Sequence, residues 1–258
     1  MVTRRMQRAP TPLRGTNNLP AGFSDFATLE APRRLIIASS GQDKSGKTHW
    51  AIATAPEPVY HIITDPNGYY IAQKIKRELG REIYVHKLDY SRSLGKPDAA
   101  KLWNQFEAAY DEALKQPKGT LVVDTATEAY ELKRLEHFGK LTQVMPHNYM
   151  EVNTYFKDKL RQAYESQLTV VFIHKMKKEY KGDGNWTGDY ERAGWGDMPF
   201  EVQVNVRHYY DGQNPQSPFR VYFYNNNQNM LDFAERDFSV EEPDQMSLEQ
   251  LLSTTFDN

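Results

Sequence analysis

One octapeptide constrains this chain more than any other feature. Gly41-Gln42-Asp43-Lys44-Ser45-Gly46-Lys47-Thr48 matches the spacing G-x-x-x-x-G-K-[ST]. It stands directly after the apolar run Leu35–Ala38 and directly before the helical run His49–Ala55. Strand, glycine loop and helix in that order turn successive backbone N–H groups and a helix N-terminus toward one point, where a polyphosphate can sit. Lys47 then reaches the outer phosphates and the Thr48 hydroxyl is placed to ligate Mg²⁺. Gly41 through Thr48 are the expected nucleotide-binding residues, and a glycine turn without function is the competing reading.

The rest of the chain reads as a scaffold for such a loop. Short apolar runs at Leu35–Ala38, Val59–Thr64, Ile83–Leu88, Leu121–Val123 and Leu168–Ile173 alternate with helical patterns, which predicts an α/β fold with a mainly parallel sheet sandwiched by helices. Asp98–Lys115 places Leu102, Phe106, Ala109, Tyr110, Ala113 and Leu114 on one stripe, with Asp98 as the expected N-cap. A second helix is expected over Tyr149–Ser166, leading into the strand that ends at His174. Strict alternation of Phe200, Val202, Val204 and Val206, a turn at Gly212 and the run Phe219–Tyr224 predict a C-terminal antiparallel hairpin. Its 258 residues include no cysteine, which excludes disulfides, thiolate metal sites and cysteine nucleophiles and points to a reducing, cytoplasmic setting. No apolar run approaches the roughly 20 residues of a membrane helix, and the seven histidines show no metal-ligand spacing.

A nucleotide site of this kind needs a second half: a buried strand ending in a carboxylate that holds Mg²⁺ through water. Leu121-Val122-Val123-Asp124 supplies it, with a helix-capping aspartate as the alternative. Glu128 lies close by, but Thr125-Ala126-Thr127-Glu128 is also a capping box, and the cap is the favoured role. The base for an attacking water is then sought on another strand tip, at Asp65 after Val59–Thr64. Asp65-Pro66-Asn67-Gly68 reads equally well as a turn.

These residues resemble the RecA-like ATPases, and in particular the compact RecA-core single-strand annealing and recombination proteins that phages encode. The loop end Ser45-Gly46-Lys47-Thr48, the strand Val122-Val123-Asp124-Thr125, the strand Val171-Phe172-Ile173-His174, and then a glycine-rich loop and a hairpin follow the family's order over roughly Arg34–Met230. The resemblance implies Mg²⁺-dependent, weak ATP turnover with Lys47 and Asp124 in catalytic roles, beside the candidate base Asp65. It puts His174 in the γ-phosphate sensor place. It also implies a ring or filament of identical subunits, and single-stranded DNA as ligand in recombination, annealing or replication, with a single-strand binding or replication protein as a possible partner. Residues 175–197 correspond to the family's mobile DNA loop. There Lys175, Lys177, Lys178, Lys181 and Arg192, with Tyr180, Trp186, Tyr190 and Trp195 as flat faces, suit an unstacked strand, although Glu191, Asp183, Asp189 and Asp197 offset the charge; a solvated lid is the alternative. Asn225-Asn226-Asn227 stands where recombinases carry lysines that reach a neighbour's ATP. Lys175, Lys177, Arg207 and Arg220 are therefore only candidates for that cation.

The ends differ in charge. Residues 1–32 carry Arg4, Arg5, Arg8 and Arg14 and read as a basic mobile arm without a secretory signal, with Phe23 and Phe26 near its end. Residues 33–231 are the expected ATPase core. Residues 232–258 hold eight acids against Arg236 alone and read as an acidic tail, in which Leu248, Leu251, Leu252 and Phe256 form a docking helix or one turn packed on the core. Two rival functions stay open: a nucleotide-switched DNA-annealing module with negligible turnover, and a small-molecule kinase. Lys44 lowers the kinase, since it stands where kinase loops usually place glycine. The host cytoplasm is the expected location of a phage-encoded protein of this kind.

Overall fold

The computed structural model describes residues 33–88, 95–139, 145–182, 184–213, 218–226, 236–239 and 247–256. The chain divides into two compact units, Met1–Pro32 and Arg33–Asn258, and all described residues belong to the second. The basic arm, Asp183 and Asn227 lie outside the described residues.

The elements run β1 (Ile36–Gly41), α1 (Lys47–Ala53), β2 (Val59–Ile63), α2 (Pro66–Leu79), β3 (Ile83–Lys87), α3 (Lys96–Leu114), β4 (Thr120–Asp124), α4 (Ala126–Phe138), α5 (Met150–Glu165), β5 (Thr169–His174), β6 (Met176–Tyr180), β7 (Trp186–Arg192), α6 (Met198–Glu201), β8 (Val204–Tyr210), β9 (Phe219–Asn226), β10 (Arg236–Ser239) and α7 (Leu248–Phe256). Among the described residues, the main sheet has the order β10-β9-β8-β1-β5-β4-β2-β3. Six neighbouring strands, β8-β1-β5-β4-β2-β3, are parallel, and β8-β9-β10 continue antiparallel. β6 and β7 pair as a separate antiparallel ribbon.

Every residue of β1, β4 and β5 is buried, as continuous apolar strands covered on both faces must be. One face packs against α3, α4 and α5 through Leu102, Trp103, Phe106, Leu132, Val152, Phe156 and Leu160. The other packs against α1, α2 and α7 through Trp50, Ile52, Ala72, Ile75, Leu248 and Leu251. The result is a three-layer α/β/α domain, with the phosphate loop and Asp124 at the same edge of the sheet. No helix among the described residues is long and apolar enough to cross a membrane.

Local differences from the sequence reading have identifiable causes. α3 begins at Lys96 after Gly95, with Pro97 in its first turn, so Asp98 sits inside the helix and its carboxylate accepts from Gly95 N–H at 3.4 Å rather than acting as the N-cap. Phe200 is 85% exposed and belongs to the single turn α6, because Met198-Pro199 starts a helical turn; the strand begins only at Val204. Two stretches of the segment read as an acidic tail are built into the domain. β10 pairs with β9, and α7 buries Leu248 and Leu251 while Leu248 N–H and Glu249 N–H bond to Thr54 at the end of α1. Apolar spacing decided the fate of that helix, and the acids around it did not.

Candidate nucleotide site

The loop between β1 and α1 is shaped by close approach. A Cβ on Gly41 would lie 2.5 Å from both His208 O and Ser45 Oγ, so only glycine fits at the strand tip. Lys44 (φ 58°) and Gly46 (φ 89°) both adopt left-handed backbone, which curls the loop before α1 starts. No side chain caps α1, leaving the amides at its start to a ligand. Lys47 Nζ donates to Gln42 O at 2.6 Å and lies 3.5 Å from Ser45 Oγ. Burial lowers the Lys47 pKa, against the opposing pull of Asp124, Asp43 and Asp65.

Asp124, at the tip of β4, is 2% exposed. Its Oδ2 accepts from Thr48 Oγ1 at 2.9 Å and lies 3.3 Å from His61 Nε2 of β2. A Cβ on Gly68, in the first turn of α2, would come within 2.6 Å of the same oxygen. A hydroxyl and a carboxylate converging at this distance form a hard oxygen pair that suits Mg²⁺ beside a phosphate. Thr48 would hold the ion and Asp124 would orient its shell.

β5 lies between β1 and β4 in the sheet, so whatever follows its tip enters the space between loop and carboxylate. That residue is Lys175. Its Nζ lies 2.5 Å from Glu128 Oε1 and 3.2 Å from Asp65 Oδ2. Burial opposes its charge, but the two carboxylates outweigh that and raise its pKa. A cavity of about 770 Å³ joins these parts, lined by Gly41, residues 43–49, Asp65, Gly68, Tyr70, Ile71, Asp124, Thr125, Lys175, Met176 and Phe219. A second cavity of about 660 Å³ opens on the other flank of the loop, between Gln42–Ser45, Arg207–Tyr210 and Phe219. The loop and Phe219 are walls of both.

The sequence-read residues distribute unevenly around this cavity. Gly41, Asp43–Thr48, Asp65 and Asp124 line it, and Gln42 lies on the neighbouring flank. Asp65 precedes α2, because Asp65-Pro66-Asn67-Gly68 opens a helix rather than an isolated turn. His174 does not face the cavity. It is 1% exposed, with Nδ1 3.2 Å from Ala193 O and Nε2 3.4 Å from Arg192 Nη1; burial and then the Arg192 charge hold its pKa well below the usual range. The ribbon β6–β7 covers it, and Lys175 takes the place at the cavity that the resemblance assigned to His174. Glu128 splits its roles: its N–H is capped by Thr125 Oγ1 at 3.2 Å while its carboxylate turns to Lys175.

The stretch expected as a mobile glycine-rich loop is for the most part a paired ribbon, with a register shift between Lys178 and Tyr180. Gly184 and Gly194 sit at bends and Gly188 inside β7, and all three have positive φ. The candidate DNA residues do not act as one set there. Lys175 belongs to the nucleotide cavity. Lys177 pairs with Glu191 at 3.1 Å, Lys178 lies 4.9 Å over the Trp186 ring, and Arg192 donates inward to Trp195 O and Gly196 O. Lys181 bonds through its N–H to Asn185 O at the bend. Trp186 and Tyr180, a cross-strand pair, remain 47% and 57% exposed, whereas Trp195 is buried in the core and offers no stacking face. His61 and Gly68 were missed by sequence reasoning, since each reaches Asp124 through space from a neighbouring element.

A glycine loop, a buried carboxylate one strand removed and an α/β/α frame define a P-loop ATPase. Residues 33–196 match the family model described as an AAA domain, and the chain belongs to that family. Such ATPases take a nucleotide and usually Mg²⁺. No curated protein matches the sequence significantly. Among solved structures, a KaiC-like protein from the hyperthermophilic archaeon Pyrococcus horikoshii is similar at 11% identity and a TM-score of 0.45, over 80% of this chain and 84% of that one.

Proposed function

We propose that this protein is a Mg²⁺-dependent ATPase that binds single-stranded DNA on the β6–β7 ribbon and works as a ring or filament in strand annealing, recombination or replication, in the manner of the compact phage proteins. The observation that carries the reading is Lys175. One residue follows the strand between loop and carboxylate, bonds Asp65 and Glu128 with its ammonium, and leads into the ribbon at Met176. Its backbone is tied down as well: Lys175 N–H donates to Thr127 Oγ1 at 3.0 Å, and Ala193 N–H at the ribbon's far end donates to Lys175 O at 2.8 Å.

In this reading the phosphates lie over Gly41–Thr48, with the nucleoside extending into the second cavity. Water attacks the γ-phosphorus, the bond to the bridging oxygen breaks, ADP leaves, and the water proton passes to Asp65. Bound Mg²⁺ would supply charge neutralisation at the outer phosphates. Lys47 and Lys175 supply the protein's own positive charge there, and a γ-phosphate competes with Asp65 for Lys175, freeing the base as the ribbon's root moves. The exposed Trp186 and Tyr180 offer stacking faces and Lys178 a phosphate contact.

The ion pair also favours the second reading, a nucleotide switch with negligible turnover, since Asp65 is engaged by Lys175. Steady-state ATP hydrolysis with and without single-stranded DNA, beside Lys47→Ala, separates the two. Turnover stimulated by DNA and lost in the variant supports the ATPase. Nucleotide binding without turnover selects the switch, and Lys47-dependent turnover indifferent to DNA removes the strand-binding half.

A further inference from the structure

We propose that His61 is a positioning residue for the Mg²⁺ site: it fixes the rotamer of Asp124 from behind the sheet edge. The proposal rests on the nucleotide-site reading above and goes beyond it.

The register Ile63↔Asp124 and His61↔Val122 puts His61 diagonal to Asp124 on the face that carries α1 and α2. Its side chain has no exposed surface, and Nε2 lies 3.3 Å from Asp124 Oδ2. An ionised carboxylate only accepts, so Nε2 carries a proton and points it at Asp124. The other ring nitrogen, Nδ1, is buried and has no hydrogen-bond partner among the described residues. Here one nitrogen is left unsatisfied while the other meets the carboxylate that faces the phosphate loop.

Asp124 needs such support. Thr48 Oγ1 donates to the same Oδ2, but that hydroxyl is the group a cation would engage. Gly68 closes the remaining side, where even a methyl group would collide with Oδ2 at 2.6 Å. When Thr48 turns to an ion, His61 remains as the described side-chain donor that keeps the carboxylate aimed at the loop, the usual task of a partner behind a metal-orienting group.

The test is fluorescent ADP binding to the full chain, titrated with Mg²⁺ and repeated in EDTA, with melting curves alongside. Two variants remove the donor: His61→Phe keeps the ring volume, and His61→Asn keeps polarity but places its amide at the Nδ1 position, short of Asp124. A third, His61→Gln, places an amide where Nε2 stands. Phe and Asn are expected to raise the Mg²⁺ concentration for half-maximal tightening about tenfold and to leave affinity in EDTA unchanged, and Gln is expected to restore most of the loss. An unchanged Mg²⁺ requirement in a folded Phe or Asn variant, an equal loss in EDTA, or failure of Gln to rescue overturns the proposal. Wild-type protein that binds no nucleotide overturns the site reading itself, an outcome visible before any variant is made.

Discussion

Lys175 is where the two halves of the molecule meet at a single side chain. Removing its charge while keeping its stem, as in Lys175→Met, takes the ammonium away from Asp65 and Glu128. Turnover should drop at least tenfold while ADP affinity changes less, because ADP lacks the γ-phosphate that the proposed function assigns to Lys175; equal loss of both would place the lysine in general binding. Gly68→Ala should act differently. Its Cβ would meet Asp124 Oδ2, so the expected result is weaker Mg²⁺-dependent binding with nearly normal affinity in EDTA, checked by the same titration. The phosphate loop and Asp124 are legible in sequence because each is a contiguous pattern beside an apolar strand. Lys175, His61 and Gly68 are not, because their meaning arises only when β5 slots between β1 and β4 and when α2 folds back over β4. His174 shows the same limit from the other side: one residue of offset at a strand tip separates a buried ring from a cavity-lining ammonium.

Among elements, the β6–β7 ribbon departs furthest from its sequence signature. Glycine content and mixed charge read as a mobile loop, yet cross-strand partners such as Lys177 with Glu191 and, beyond a register shift, Tyr180 with Trp186 pair it as a ribbon, and Arg207 of β8 donates to Tyr190 O at 3.4 Å. Glycine content predicts backbone freedom, but here the freedom is used at bends with positive φ. α3 and α5 were legible because their apolar stripes recur at helical spacing, whereas Phe200 imitated a strand by alternation and was displaced by the turn that Pro199 starts. A preformed ribbon makes a sharper prediction than a loop. Trp186→Ala should weaken single-strand binding by the stacking contribution of about 1–3 kcal/mol, and Lys178→Ala should lower the salt slope by about 0.7, the share of one phosphate contact on a single strand. Basal ATP turnover should stay at the wild-type level in both. Unchanged affinity in Trp186→Ala would detach the ribbon from DNA.

At the scale of the whole molecule, the phosphate loop is held by parts distant in sequence, and this couples site integrity to pH. α7 bonds the end of α1 through Thr54, and β8 backs the loop through His208. His208 Nε2 lies 2.9 Å from Ser39 Oγ, its ring meets Trp50 edge-on at 5.2 Å, and its backbone carbonyl sits against Gly41. Burial, and then the nearby Lys47 charge, depress its pKa to about 3; His174, under the ribbon, is lowered by burial and Arg192. Both histidines are thus neutral in the folded chain, while in the unfolded chain each takes a proton below about pH 6.5. The unfolded state then binds more protons, so stability is full above pH 6.5 and falls as pH drops through the window down to the folded values. The slope is up to about 1.4 kcal/mol per pH unit for each histidine. Urea unfolding at pH 7.5, 6 and 5 should show this decline. His208→Gln, which removes one titrating group, should reduce the slope between pH 6 and 5 by about half even if it lowers stability throughout. Equal slopes for wild type and variant would mean that protons enter elsewhere and that the packing of β8 behind the phosphate loop does not set the acid limit of the fold.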